Sequence, residues 1–157
     1  MTAAEKFRAL LRNDERYDAE AYNFIYEALD FTIKNVIKAR ARSNQHVSGQ
    51  ELLEGIRQYG IDQFGCLAQT VLESWGVCRT DDFGEIVFNL VEHDLMGKQD
   101  ADTKSDFRSI YEFRDVFDLA PVFCYSREND EWQTSYVPSS EHDSSSGNDR
   151  SGRIAQR

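Results

Sequence analysis

Between His46 and Leu95, apolar positions recur at three- and four-residue steps. Two glycine-bearing breaks interrupt them, and the pattern predicts three amphipathic helices. In the first, Leu52, Leu53, Ile56, Tyr59, Gly60 and Phe64 share a face. Ser48 and Glu51 have the spacing of a capping box at its start, and Gly65 is placed to stop it. The second carries Leu67, Ala68, Val71, Leu72 and Trp75 and ends at Gly76. The third has the cleanest period of the chain, with Phe83, Ile86, Val87, Leu90, Val91 and Leu95. Thr80 or Asp81 can cap it. Asp81, Asp82 and Glu85 fall in its first turns, where the positive end of the helix dipole favours carboxylates.

Upstream, Glu5–Leu11 predicts a first short helix with Phe7, Leu10 and Leu11 inward, and Asp18 caps a second helix from Ala19 to about Arg42. One stripe of that helix is Tyr22, Ile25, Tyr26, Leu29, Ile33, Val36 and Ile37. Phe24, Ala28 and Phe31 form another, so the helix is expected to be covered from more than one side and to act as a spine. Downstream, a hairpin pairing Leu95–Gln99 with Phe107–Phe113 would complete the element order of a winged helix. A loop and a short helix there would leave a plain helical bundle, and both readings stay open. Arg114–Leu119 reads as one or two helical turns ended by Pro121. Val122–Tyr125 and Trp132–Val137 can pair across the polar Glu128–Glu131 turn. From Pro138 the chain is dominated by Ser, Asp, Gly and Asn, and Ile154 is its one large aliphatic residue; it reads as a disordered tail. The expected fold class is therefore mainly α. A compact helical domain, winged-helix-like if the wing forms, covers residues 3–120, a short hairpin or extended segment covers 121–137, and the tail covers 138–157.

Charge narrows the function. The 157 residues carry a net charge of −10, and residues 1–126 alone hold 14 basic against 22 acidic side chains, or −8. Such a surface repels phosphate backbones unless a basic patch is segregated. Lys34, Lys38, Arg40 and Arg42, at the end of the second helix, are the one basic concentration. Cations are also favoured at a helix C-terminus, and these four lack interleaved aromatics. The helix that would read DNA in a winged helix is the third. Its polar side holds Asp81, Asp82, Glu85, Asn89, Glu92, His93 and Asp94, which argues for protein contacts instead. No run of about 18 apolar residues offers a membrane span. No signal-peptide core occurs near Met1. The odd set Cys66, Cys78 and Cys124 reads as reduced, mostly buried thiols in the cytoplasm.

Candidate chemistry is sparse. His46 precedes the Ser48 cap and could act as a base or a metal ligand with Glu51 or Glu54, or make a hydrogen bond that fixes the loop entering the helix. His93 lies among carboxylates at a helix end, His142 in the tail, and no two histidines share metal-ligand spacing. Asp100–Ser105 fails as a calcium loop, since Lys104, Ser105 and Tyr111 occupy positions that need a ligand, a glycine and a bidentate glutamate. There is no phosphate-binding glycine loop and no nucleophile elbow. No catalytic residue, metal or cofactor is assigned.

The strings Asp14-Glu15-Arg16-Tyr17, Ala21-Tyr22-Asn23-Phe24, Glu27-Ala28-Leu29, His46–Arg57, Trp75-Gly76 and Asp82–Phe88 together resemble a small uncharacterised bacterial family found mainly in planctomycetes and verrucomicrobia. The resemblance covers roughly residues 4–120, and His46–Arg57 and Asp82–Phe88 are its most distinctive parts. It implies a compact cytoplasmic bacterial protein and carries over no activity, substrate or cofactor. The basic Lys38–Asn44 extension and the region after Leu119 depart from it.

Three functions are weighed. The first is a non-enzymatic protein-interaction module whose acidic helix faces, with Asp81, Asp82 and Glu85, meet a basic protein or a second copy. The second is a nucleic-acid-associated protein acting through Lys34, Lys38, Arg40 and Arg42. The third is an enzyme using His46 with Glu51 or Glu54.

Overall fold

The computed structural model describes residues 1–37, 46–97 and 103–141. Its helices are α1 (Ala3–Asn13), α2 (Ala19–Thr32), α3 (Gly49–Phe64), α4 (Ala68–Ser74), α5 (Thr80–Glu92) and α6 (Phe113–Val116). A π-helical turn, Ile33–Ile37, continues α2, and 3₁₀ turns occupy Gly65–Leu67 and Lys104–Phe107. Strands β1 (Leu119–Ser126) and β2 (Glu131–Pro138) form a two-stranded antiparallel sheet. The fold is mainly α, as the periodicity predicts.

The helix starts follow from local chemistry. Thr2 and Glu5 form a capping box on α1, and Ser48 and Glu51 form one on α3. The Asp18 side chain accepts from the Glu20 amide at the start of α2. Gly65 ends α3 with φ +55°, a conformation open to glycine. The core is one cluster to which every helix contributes: Leu10, Tyr22, Ile25, Leu53, Ile56, Leu72, Phe83, Ile86, Leu90 and Phe117 are all fully buried. Trp75 packs on the rings of Phe24 and Phe64 at centroid distances of 5.8 and 5.7 Å, so it is part of the core edge.

α2 packs chiefly on α3, and the crossing is very close. A Cβ added at Gly55 would overlap the Thr32 hydroxyl and lie 2.8 Å from the Thr32 Cβ. Thr32 is fully buried and donates its hydroxyl to the Ala28 carbonyl at 2.6 Å, a back-bond that bends helices. The next residue begins the π turn. The expected single helix to Arg42 is therefore interrupted at Thr32; the part of that expectation on residues 38–45 lies outside the described residues.

The wing is absent from the described residues. Phe107–Phe113 has no strand partner and runs from a 3₁₀ turn into α6. Its apolar residues Phe107 and Phe113 are buried together with Phe117, and Tyr111 donates its hydroxyl to the Leu53 carbonyl at 3.0 Å. Phe107, Tyr111 and Phe113 have the same parity, so a strand could also have turned them inward, and the spacing alone does not decide their path. The backbone is committed elsewhere: the Ser109 amide goes to Asp81 and the Ile110 amide to the buried Thr80 hydroxyl. Among the described residues the hairpin is instead the one at 119–138, longer at both ends than expected. Pro138 closes β2 and the Ser139 amide donates to the Asp118 carbonyl, so ordered structure passes the expected start of the tail. The tail reading for 142–157 lies outside the described residues.

Gly55→Ala is expected to cost about 3 kcal/mol, since neither helix can withdraw without opening the core. Urea unfolding would measure it, and adding Thr32→Ala should recover part of the loss. Full additivity of the two changes would disprove the contact.

Candidate functional site

The residues singled out from sequence go to separate places. The acidic ones lie at the N-terminal half of α5, against the α1–α2 linker and the Lys104 turn. Asp82 accepts from the Tyr17 hydroxyl at 2.7 Å and from the amides of Cys78 and Arg79 at 2.9 and 3.2 Å. It, rather than Thr80 or Asp81, closes the start of α5 by reaching back. Asp81 accepts from Ser109 at 2.8 Å. Glu85 is bracketed by Arg16 at 3.3 Å and Lys104 at 3.1 Å. The carboxylates expected to meet a partner thus hold the chain to itself.

The same clamp contains residues that sequence reading passed over. Arg16 grips the Asp14 carboxylate with two nitrogens, at 2.9 and 2.6 Å, and Asn89 donates to Asp14 at 2.8 Å and to the Tyr22 hydroxyl at 3.1 Å. The Arg16 hydrogen bonds hold the Asp14 carboxyl far below the usual carboxylate range, against the opposing effect of burial. Burial, reinforced by Asp82, pushes the Tyr17 phenol well up. His93 bonds the Asn89 carbonyl through Nδ1 at 2.9 Å and meets Asn13 at 3.2 Å, joining the end of α5 to the end of α1. A carboxylate fixed by a guanidinium fork is a poor base, so the cluster acts as a fastening. The signal in sequence was Asp-x-Arg in a linker, too common to single out.

His46 lies on the rim of a cleft of about 210 Å³ between α2, α3 and α5, lined by Leu29, Leu52, Val87, Val91, Met96 and Phe107 among others. The cleft is smaller than the roughly 300–1,000 Å³ usual for ligand sites. Of the carboxylates considered beside His46, Glu51 serves the Ser48 amide in the capping box. Glu54 is held by Arg57 at 2.5 Å and by Gln58 at 2.8 Å. The Arg57 hydrogen bonds lower the Glu54 carboxyl, the wrong direction for a general acid at neutral pH. Lys34 is paired with Asp30 at 2.6 Å within α2. Lys38, Arg40, Arg42 and His142 lie outside the described residues, as do Asp100–Asp102 of the calcium-loop look-alike.

A further surface, on the β1–β2 hairpin, holds none of the residues singled out from sequence. In the register of β1 and β2, Tyr125 faces Trp132, Phe123 faces Thr134 and Pro121 faces Tyr136. Directly opposed residues project to the same side of an antiparallel pair. All four aromatic side chains of the ribbon therefore share one face with Pro121 and Thr134, and this face carries no ionisable group other than tyrosine. Phe123 is 63% exposed, Trp132 71%, Tyr125 46% and Tyr136 39%. Tyr125 and Trp132 are in ring contact at 5.4 Å, and the Tyr125 hydroxyl donates to Asp130. At the root, the Tyr136 ring occupies the space a side chain at Gly65 would need, and Thr134 and Tyr136 form a shallow groove with Arg57, Gln58, Ile61 and Asp62 of α3. The alternation Phe-x-Tyr and Trp-x-Thr-x-Tyr was the available signal.

Cys66, Cys78 and Cys124 are exposed free thiols, not the buried packing residues expected. Cys66 and Cys78 sit in the turns that flank α4, where the core faces are taken by Ala68, Leu72 and Val77. Among the described residues no group of three or more His, Cys, Asp and Glu is placed to hold a metal, and no helix is long and apolar enough to cross a membrane. No protein-family model, curated protein or solved structure matches the chain, so the functional reading rests on these residues.

Asp14 and Glu54 both have folded-state values below the unfolded one, so their stabilisation is present above roughly pH 4 and is lost as pH falls through the folded values. Urea midpoints are expected to fall progressively as pH drops below about 5, with the loss from Asp14 continuing well under about pH 3. Asp14→Asn should flatten that fall and cost about 1 kcal/mol at neutral pH, the low end for a charged hydrogen bond because Arg16 is more than half exposed. An unchanged acid slope in the variant would remove Asp14 from the account.

Proposed function

We propose that this protein is a non-enzymatic interaction module that binds another protein through the aromatic face of the β1–β2 ribbon. The observation that carries the reading is that Phe123, Tyr125, Trp132 and Tyr136 share one exposed face. Tyrosine and tryptophan at this density mark the anchoring centre of protein interfaces, and contiguous exposed apolar surface on a soluble domain marks a contact site. The helical body supports the ribbon and does not compete with it, since Asp81, Asp82 and Glu85 are occupied within the chain. The contact surface is thus an uncharged one, and a partner need not be basic. The three exposed free thiols suit a reducing compartment, the cytoplasm.

The other two readings gain no observation. Nucleic acid would need free cations beside the stacking rings; the strand residues of the aromatic face supply none, and Arg57, which lines the groove at Tyr136, is paired with Glu54. An enzyme built on His46 would need Glu51 or Glu54, and both carboxylates have structural duties.

A photoreactive benzophenone residue introduced in place of Phe123, in the full chain expressed in cells, should form a discrete protein adduct on irradiation. The same residue at Gln133, on the opposite face, should form little. Equal yields at the two positions, or none at either, would overturn the reading.

A further inference from the structure

We infer that the partner on the aromatic face is a second copy of this chain, the two ribbons packing aromatic face to aromatic face about a two-fold axis. The inference rests on the reading of the ribbon as the contact surface and names its occupant.

Three observations lead to it. The first is charge. The chain carries −10 overall, yet Leu119, Pro121, Phe123, Tyr125, Trp132, Thr134, Tyr136 and Pro138, which share this face by register, include no carboxylate and no cation. A face whose own strand residues are uncharged offers no electrostatic basis for selecting a basic or an acidic partner, whereas a like face meets it with charge only at the edges, at Asp130 held by the Tyr125 hydroxyl and at Arg57 and Asp62 of the root groove. The opposite face, in contrast, carries Glu131 among Gln133 and Ser135. Self-association through any acidic part of the surface would oppose like charges; here it does not.

The second is area. Rings of this type present roughly 150–250 Å² each when fully exposed. At exposures of 63, 46, 71 and 39%, Phe123, Tyr125, Trp132 and Tyr136 leave on the order of 450 Å² of ring surface open per copy. Two copies give about 900 Å² from the rings alone, close to the roughly 1,000 Å² that a specific interface must reach. Pro121, Thr134 and the flanking strand surface supply the remainder. A smaller partner surface would leave rings in water.

The third is shape. A two-stranded ribbon is marginal by itself, and three or more strands or a covering layer are the usual remedy. α3 and the Gly65 turn cover only the root, at Tyr136, while Thr134 stays exposed on the edge of the α3 groove. The distal rings, Phe123, Tyr125 and Trp132, extend past that cover. Stacking a second ribbon at the usual face-to-face spacing of about 10 Å supplies the missing layer. A two-fold axis makes the contact isologous, so the assembly closes at two and does not propagate.

Sedimentation velocity of the full chain from about 1 to 300 µM tests this. The expected result is a reversible shift from one chain to two as concentration rises. Thr134→Glu puts like charges opposite each other across the axis at an already exposed polar position. It should hold the protein at one chain throughout, with helical circular dichroism and melting unchanged. Ser135→Glu, on the other face, should dimerise as the native chain does. Trp132→Ala should weaken the dimer at least tenfold. A native chain that stays single over the whole range overturns the inference, as does a dimer that survives both Thr134→Glu and Trp132→Ala. The interaction module itself fails separately: a single native chain whose position-123 benzophenone still captures a different protein sinks the dimer and keeps the module. A single chain with no adduct sinks both.

Discussion

Two helices, α2 and α3, cross with almost nothing between them. At the α2–α3 crossing, Gly55 meets Thr32, and no side chain larger than hydrogen fits at the glycine. This contact sets how deeply α3 can sit on α2. α3 in turn carries Leu53 and Ile56 into the core and Gly65 to the foot of the ribbon. Thr32 has a double task, since its hydroxyl is satisfied by the Ala28 carbonyl and its bulk is what Gly55 accommodates. Where the two helices touch, α2 gives up its regular geometry and continues as a π turn, which is a common place for an inserted irregularity to be tolerated.

Most of the fold was legible because its signals are local. Capping at Asp18 and Ser48, the stop at Gly65 and the apolar stripe of residues 83–95 each depend on residues within a few positions of one another. The misplaced wing had a different origin. Phe107, Tyr111 and Phe113 are aromatic and spaced ambiguously, and what decides their path is a pair of distant acceptors, Asp81 and the Thr80 hydroxyl, about thirty residues earlier. The end of α2 at Thr32 is likewise a tertiary event. The exposed cysteines follow from the same limit: hydrophobicity suggests burial, but the turns around α4 fill their inward positions with other residues.

The candidate site was hidden for a related reason. Charge is the conspicuous feature of the sequence, and it points to the carboxylates of α5 and the cations of α2. In the folded chain, much of that charge is internal fastening. Arg16 joins Asp14 to Glu85, Lys104 reaches Glu85 from another turn, and Asn89 ties Asp14 to Tyr22. The helical body uses polarity to hold itself together at its seams. The ribbon, whose two strands the sequence pairs across a polar turn, is where large apolar surface remains uncovered.

The ribbon's aromatic face depends on parity. Phe123 and Tyr125 on one strand, and Trp132 and Tyr136 on the other, agree in side because they stand two and four positions apart along their strands and the turn keeps the strands in step. Exchanging one ring type for another leaves that agreement intact. Inserting or deleting a single residue between Ser126 and Glu131 would force the ladder to reopen in a new register, and a slip of one would send Trp132 and Tyr136 to the far side from Phe123 and Tyr125. The surface is thus written as a count more than as a composition: it can drift widely in sequence while its length stays fixed.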